Sequence, residues 1–259
     1  MKMLEVNNMT VRYGTLTIVN DVSFSLDEGE WLMLIGPNGA GKSTIVNAIA
    51  QSVDYSGQVL YKGRDLKQFK PTELAKNIGI LAQNHSVGYS FTVEEVVRLG
   101  RYSYAPSIFS RHTDADEESV EKALELTGIK PLMKQSVLTL SGGELQRTFL
   151  AQILAQNPNI LILDEPTNHL DLVYQKQTFA LIQEWLKESG RSVISVVHDL
   201  SLARAYGTKC LMLKSGEAIA YGTGKDVFSP EILNSVYSMD VADWMRTMLS
   251  QWDEPENDI

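Results

Sequence analysis

Cysteine is almost absent from this chain of 259 residues, where Cys210 stands alone. That excludes an internal disulfide and any metal centre built from several thiolates. Its apolar neighbours Leu211, Met212 and Leu213 make it a small buried hydrophobe rather than a nucleophile. No apolar run reaches the roughly eighteen residues that a membrane-crossing helix needs. The first residues, Met1-Lys2-Met3-Leu4-Glu5-Val6, lack the apolar core of a signal peptide, so the chain is expected to stay in the cytoplasm. Positive charge is scarce as well: 23 Lys and Arg face 32 Asp and Glu, a net charge of −9 that argues against coating nucleic acid. Internal repeats, low-complexity tracts and heptad runs are missing. The acidic close, Trp252 to Ile259, reads as a solvated tail.

What is present is alternation. Apolar patterning predicts strands at Leu4 to Val11 and Ile18 to Leu26, then a turn at Asp27-Glu28-Gly29 and the buried run Trp31 to Ile35. Further strands are expected at Gln58 to Tyr61, Ile78 to Ala82, Ile160 to Leu163 and Ser192 to Val197. Helical spacing marks Ile45 to Ala50, Thr92 to Leu99, Asp116 to Leu126, Val173 to Glu188 and Leu200 to Tyr206, and Lys209 to Leu213 with Glu217 to Tyr221 read as a hairpin. Strands alternating with helices imply a mostly parallel sheet, an α/β class. The charged helical stretch from about 92 to 127 reads as an insert.

Three segments carry chemistry. Gly36-Pro37-Asn38-Gly39-Ala40-Gly41-Lys42-Ser43-Thr44 lies between a buried strand and a helix and fits G-x-x-x-x-G-K-[ST]. Its glycines let main-chain N–H groups converge on phosphate oxygens, Lys42 suits the β- and γ-phosphates, and the Ser43 hydroxyl suits Mg²⁺. The strand Ile160 to Leu163 then delivers Asp164 and Glu165 at its C-terminal end, the edge where open α/β sheets bind ligands. Asp164 fits a magnesium-side carboxylate and Glu165 a base for attacking water. His198, at the end of the strand Ser192 to Val197, shares that edge and fits a donor to a γ-phosphate or an orienter of Glu165. Gln83 follows another strand, with an amide suited to Mg²⁺ or the attacking water; Tyr13 offers a ring for adenine, or an ordinary half-buried tyrosine.

The third segment is Leu140-Ser141-Gly142-Gly143-Glu144-Leu145-Gln146-Arg147. Ser141 and Glu144 fit a capping box ahead of the apolar residues Phe149, Leu150, Ile153 and Leu154. A capping box leaves Gly142 and Gly143 unexplained, since each glycine in a helix costs about 1 kcal/mol relative to alanine. Bare N–H groups at a helix N-terminus attract an anion.

Taken in order, Tyr13, Gly36 to Thr44, Gln83, Leu140 to Arg147, Asp164-Glu165, Asn168-His169-Leu170-Asp171 and His198 resemble the full motif set of the ABC transporter ATPases. The resemblance implies a P-loop NTPase core of RecA type, with a mostly parallel sheet, an antiparallel β subdomain and an inserted α-helical subdomain. It divides the chain into a catalytic core with β subdomain at 1–83 and 151–225, a helical and signature subdomain at 84–150, and C-terminal helices with an acidic tail at 226–259. It implies ATP as substrate with Mg²⁺. Tyr13 becomes the aromatic A-loop residue, Gly36 to Thr44 Walker A, Gln83 the Q-loop residue, Asp164 Walker B, Glu165 the catalytic base, Asn168 to Asp171 the D-loop and His198 the switch histidine. Glu144 and Leu145 stand where many members have two glutamines, which leaves the glycines intact.

The same resemblance implies a head-to-tail dimer, with Walker A of one chain and Ser141, Gly142, Gly143 and Asp171 of the other flanking one ATP. Such a dimer would sit peripherally at the cytoplasmic face of the membrane, dock through its helical insert on integral membrane permease subunits, and serve an extracytoplasmic substrate-binding protein indirectly. No nucleic acid partner is expected. Thr167 to Asp171, Leu99 to Tyr102 and Val197 to Ala203 are similar to the ATPases of importers for ferric siderophores, haem and vitamin B12. The expected function is energising uptake of an iron complex. Haem or vitamin B12 is the nearest alternative, and a separate exporter ATPase stays open. A soluble ABC-type ATPase of translation or DNA maintenance is the different-class alternative, disfavoured by the single cassette and the lack of heptads.

Overall fold

The computed structural model describes residues 1–82, 90–104, 113–167 and 170–252. The chain opens with strands β1 (Lys2–Tyr13), β2 (Leu16–Asp27) and β3 (Trp31–Ile35), followed by helix α1 (Lys42–Ile49). Strands β4 (Ser56–Tyr61) and β5 (Arg64–Asp65), helix α2 (Pro71–Asn77) and strand β6 (Ile78–Leu81) come next. Helices α3 (Val93–Arg98), α4 (Asp114–Leu126) and α5 (Gly142–Gln156) lead to β7 (Ile160–Asp164), α6 (Leu172–Leu186), β8 (Ser192–Val196) and α7 (Leu200–Tyr206). The hairpin β9 (Lys209–Lys214) and β10 (Glu217–Gly222) precedes three short helices, α8 (Gly224–Val227), α9 (Pro230–Tyr237) and α10 (Val241–Ser250).

Two sheets result. One is antiparallel, in the order β2-β1-β4-β5; the other runs β10-β9-β3-β8-β7-β6, parallel from β9 to β6 with β10 antiparallel at its edge. Strands β3, β7 and β8 are buried at every position, which is why they appear in the sequence as unbroken apolar runs. Successive strand residues point to opposite faces. Leu32, Leu34, Ile160, Ile162, Ile194 and Val196 therefore pack with α1 and the antiparallel sheet. Trp31, Met33, Leu161, Leu163 and Val193 face the other way, onto α5, α6 and α7. On that side Trp31 stacks on Phe179 with ring centroids 5.3 Å apart, and its indole N–H donates to Ser195 Oγ at 2.8 Å, satisfying a polar group that would otherwise be stranded. Cys210 lies in the same core, and burial pushes its thiol up to about 12, in keeping with an inert side chain.

Helices α3, α4 and α5 form a separate layer. A 3₁₀ turn at Leu99–Tyr104 ties it together. Gly100 is needed there because a Cβ would lie 2.0 Å from the Gln152 carbonyl oxygen on α5. Arg101 is buried; its Nε donates to Asp116 at 2.8 Å and its Nη1 to the Ala155 carbonyl at 3.0 Å, while its guanidinium stacks 3.7 Å from the Tyr104 ring. Burial alone would raise the Asp116 carboxyl, but hydrogen bonds from Thr113 and Arg101 outweigh it and hold it at about 2. A depressed carboxyl contributes stability above the unfolded value of 3.8 and loses it as pH falls toward 2. The stability gap between the native chain and Asp116→Asn should therefore be full at neutral pH and close between about pH 4 and pH 2, read from urea midpoints. A gap independent of pH would mean that the charge contributes nothing. Helix α5 runs unbroken through position 150, where the expected division between subdomains falls.

Candidate functional site

Strand β3 ends at Ile35, and the chain then reverses over a loop whose conformation only glycine tolerates. Gly36, Gly39 and Gly41 have φ of 143°, 77° and 97°. At Gly36 a Cβ would also stand 2.1 Å from the carbonyl oxygen of Leu213 on β9, so the loop is pressed against the neighbouring strand. Gly41 immediately precedes α1, leaving the first N–H groups of that helix open toward the loop's concave side. Lys42 is buried and its ammonium donates to the carbonyls of Gly36 at 2.8 Å and Pro37 at 3.0 Å. Burial lowers its pKa, against the opposing pull of Glu165 and Asp164.

Those two carboxylates arrive on β7 and the turn after it. Asp164 accepts from Ser43 Oγ at 3.1 Å. Burial raises its carboxyl, the Ser43 hydrogen bond opposes, and the adjacent Glu165 charge adds to the rise. Glu165 has φ of 55°, a left-handed backbone that costs a non-glycine residue about 1–3 kcal/mol and clusters at working sites. Its amide donates to the Val196 carbonyl at 3.2 Å, and its carboxylate lies 2.6 Å from Nε2 of His198, just past the end of β8. A cavity of about 780 Å³ is lined by Asn38 to Thr44, Glu165 and His198, with Ile18 on its flank.

The fold thus brings together loop, Asp164, Glu165 and His198 from the ends of three neighbouring parallel strands. The other expected site residues lie elsewhere. Tyr13 ends β1, is 52% exposed, and does not line the cavity, whereas Ile18, which sequence reasoning did not single out, does. Ser141 N-caps α5 with its side chain accepting from the Glu144 amide, and the Glu144 carboxylate in turn accepts from the Ser141 amide at 2.8 Å. Gly142 and Gly143 form the first turn of that helix, outside the cavity. Asp171 caps α6, accepting from the Tyr174 amide at 2.9 Å. Gln83, Asn168 and His169 lie outside the described residues.

A glycine loop joining a central parallel strand to a helix, with a lysine inside it and a strand-end aspartate on its serine, defines a P-loop nucleoside triphosphatase. More narrowly, residues 19–168 match the ABC transporter family, and the chain belongs to that family. It is an ATP-hydrolysing member. It is 36% identical over 237 residues to the ferric enterobactin transport ATP-binding protein FepC of Escherichia coli (strain K12), covering 91% of this chain and 87% of that one. The hemin import ATP-binding protein HmuV of Pseudomonas fluorescens (strain Pf0-1) is 37% identical over 245 residues, covering 92% of this chain and 94% of that one. The uncharacterized ABC transporter ATP-binding protein YvrA of Bacillus subtilis (strain 168) is 38% identical over 239 residues; the match takes in 92% of this chain but spans only 54% of that protein's length. Among solved structures, a bacterial ABC transporter cassette determined as a dimer superposes with a TM-score of 0.76 at 27% identity, covering 85% of this chain and 98% of that one.

The position of Lys42 carries a prediction of its own. Charge-assisted hydrogen bonds contribute about 1.5–3 kcal/mol each, so Lys42→Ala should weaken ATP binding by roughly tenfold to a hundredfold. Isothermal calorimetry with the isolated chain checks this, and unchanged affinity would remove Lys42 from the phosphate site.

Proposed function

We propose that the chain energises a membrane importer for an iron complex, a ferric siderophore or haem, by binding and hydrolysing ATP between two copies of itself. The observation that carries the reading is the near full-length similarity to ATP-binding proteins named for ferric enterobactin and hemin. The path for cargo would belong to permease subunits at whose cytoplasmic face this chain docks, as the relatives named for import suggest; no helix among the described residues is long and apolar enough to cross a membrane. Leu99, Tyr102 and Leu138 are exposed apolar residues around the helical layer and suit such a contact.

At the site, the loop N–H groups and Lys42 receive the phosphates. Lys42 exchanges its bonds to the Gly36 and Pro37 carbonyls for phosphate oxygens. Ser43 Oγ and Asp164 Oδ1 converge as two hard oxygen donors, a set that fits Mg²⁺ and would hold it. When bound, Mg²⁺ neutralises charge on the β- and γ-phosphate oxygens. The Glu165 carboxylate takes a proton from water as the water oxygen bonds to the γ-phosphorus and the bond to the ADP oxygen breaks. His198 fixes that carboxylate through the 2.6 Å contact.

Expression beside candidate permeases tests the assignment. Extraction in detergent should yield a stable complex with a polytopic permease, and vesicles holding that complex should take up a ferric siderophore or haem only with ATP. ATP-driven efflux, or sedimentation with ribosomes or DNA instead of a permease, would overturn it.

A further inference from the structure

The signature segment ends in two residues whose side chains reach back into their own chain. Gln146, on the second turn of α5, donates from Nε2 to the carbonyl oxygen of Pro166 at 3.1 Å. Arg147 lies over the ring of Tyr174, 4.8 Å from its centroid, on the first turn of α6. Between these contacts Gly143 lies beside Leu170, where a Cβ would meet its Cδ2 at 3.4 Å, an ordinary van der Waals contact. Helix α5 therefore touches both ends of the segment joining the Asp164-Glu165 strand end to α6.

We infer that Gln146 is a positioning residue for hydrolysis, holding the Pro166 carbonyl so that Glu165 keeps its left-handed backbone and its carboxylate stays against His198. Proline has no N–H, so the carbonyl is the one main-chain polar group through which Pro166 can be fixed. A φ of 55° at Glu165 persists only where the surroundings over-determine it. Among the described residues, three bonds contribute to this: the Glu165 amide to Val196, the Glu165 carboxylate to His198, and Gln146 to Pro166. The first two tie Glu165 to β8 and its end, within the sheet. The third comes from the helical layer, so any shift of α5 against the sheet is passed to the turn that bears the carboxylate. A carbonyl can only accept, which fixes Gln146 as donor and makes the bond specific to an amide N–H at that position. The inference rests on Glu165 being the base.

Gln146→Met keeps length and helix propensity and removes the donor. It should lower kcat at least about tenfold, because displacements of an ångström at a reacting group are enough for that, while KM and equilibrium affinity for ATP stay within about twofold. Gln146→Glu keeps the shape, also lacks the donor, and should lose as much; it serves if the methionine variant misfolds. In a Glu165→Gln background the Met substitution should reduce the residual single-turnover rate less than about twofold, since the group it positions is already gone. Native kcat in either single variant, or a tenfold further loss in the Glu165→Gln background, would overturn the inference. Normal turnover of Glu165→Gln alone would instead refute the base, which keeps the two failures apart.

Discussion

Glu165→Gln is expected to bind ATP as the native chain does and to hydrolyse it roughly a hundredfold to ten-thousandfold more slowly, the range that loss of a general base produces. The residue occupies the cavity wall with 9% of its side chain exposed, and its carboxylate lies against His198. Glutamine preserves its volume and can hydrogen-bond Nε2 of either neutral tautomer, as acceptor or as donor. The strained turn and the cavity should survive. What disappears is the ability to take a proton from water. Lys42 keeps its bonds to the loop carbonyls and Ser43 its bond to Asp164, so the donors of the binding half stay in place, while the lost Glu165 charge no longer pulls on Lys42 or pushes on Asp164. Binding without hydrolysis should let the ATP-closed pair of subunits accumulate. Phosphate release, calorimetric affinity and a gel-filtration shift with ATP together check this, and near-native turnover would remove Glu165 from the role.

Much of this site was legible in the sequence because its parts are local. The loop Gly36 to Thr44 is a continuous segment whose backbone demands are written in its glycines, and the strand before Asp164 is apolar at every position because the sheet is covered on both faces. The capping box at Ser141 is likewise a relation within one helical turn. What escaped depends on contacts between distant segments. Ile18 flanks the cavity only because β2 passes beside the loop, where a Cβ added at Gly41 would lie 3.0 Å from the Ile18 carbonyl oxygen. Arg101 reads as a surface cation at a helix end until Asp116 and the Ala155 carbonyl are brought to it from 15 and 54 positions away. The left-handed φ of Glu165 has no local signal at all, since a glutamate before proline gives no hint of it; it exists because β8 and α5 hold it.

Gly142→Asp should separate stability from turnover more sharply than any other change in this chain. Gly142 is the first residue of α5, it is exposed, and a Cβ added there meets nothing within 4 Å. Aspartate in the first turn of a helix gains about 0.3–1 kcal/mol from the helix dipole and escapes the glycine penalty of about 1 kcal/mol. The variant should therefore melt no lower than the native chain. Its ATP affinity as an isolated subunit should also hold, because position 142 is outside the cavity that contains Lys42. If α5 of one copy meets the nucleotide of another, however, the new carboxylate faces a triphosphate. Two unit charges about 4 Å apart at an effective dielectric near 20 repel by about 4 kcal/mol, close to a thousandfold against closure. Hydrolysis should fall accordingly. Mixing supplies the decisive comparison. In a head-to-tail pair of Gly142→Asp with Lys42→Ala, both defects fall on the same ATP site and the other site is intact, so the mixture should regain ATP-dependent closure and turnover above those of either variant alone. Were the signature to serve its own chain's nucleotide, every site in that mixed pair would carry one defect, and no recovery would follow.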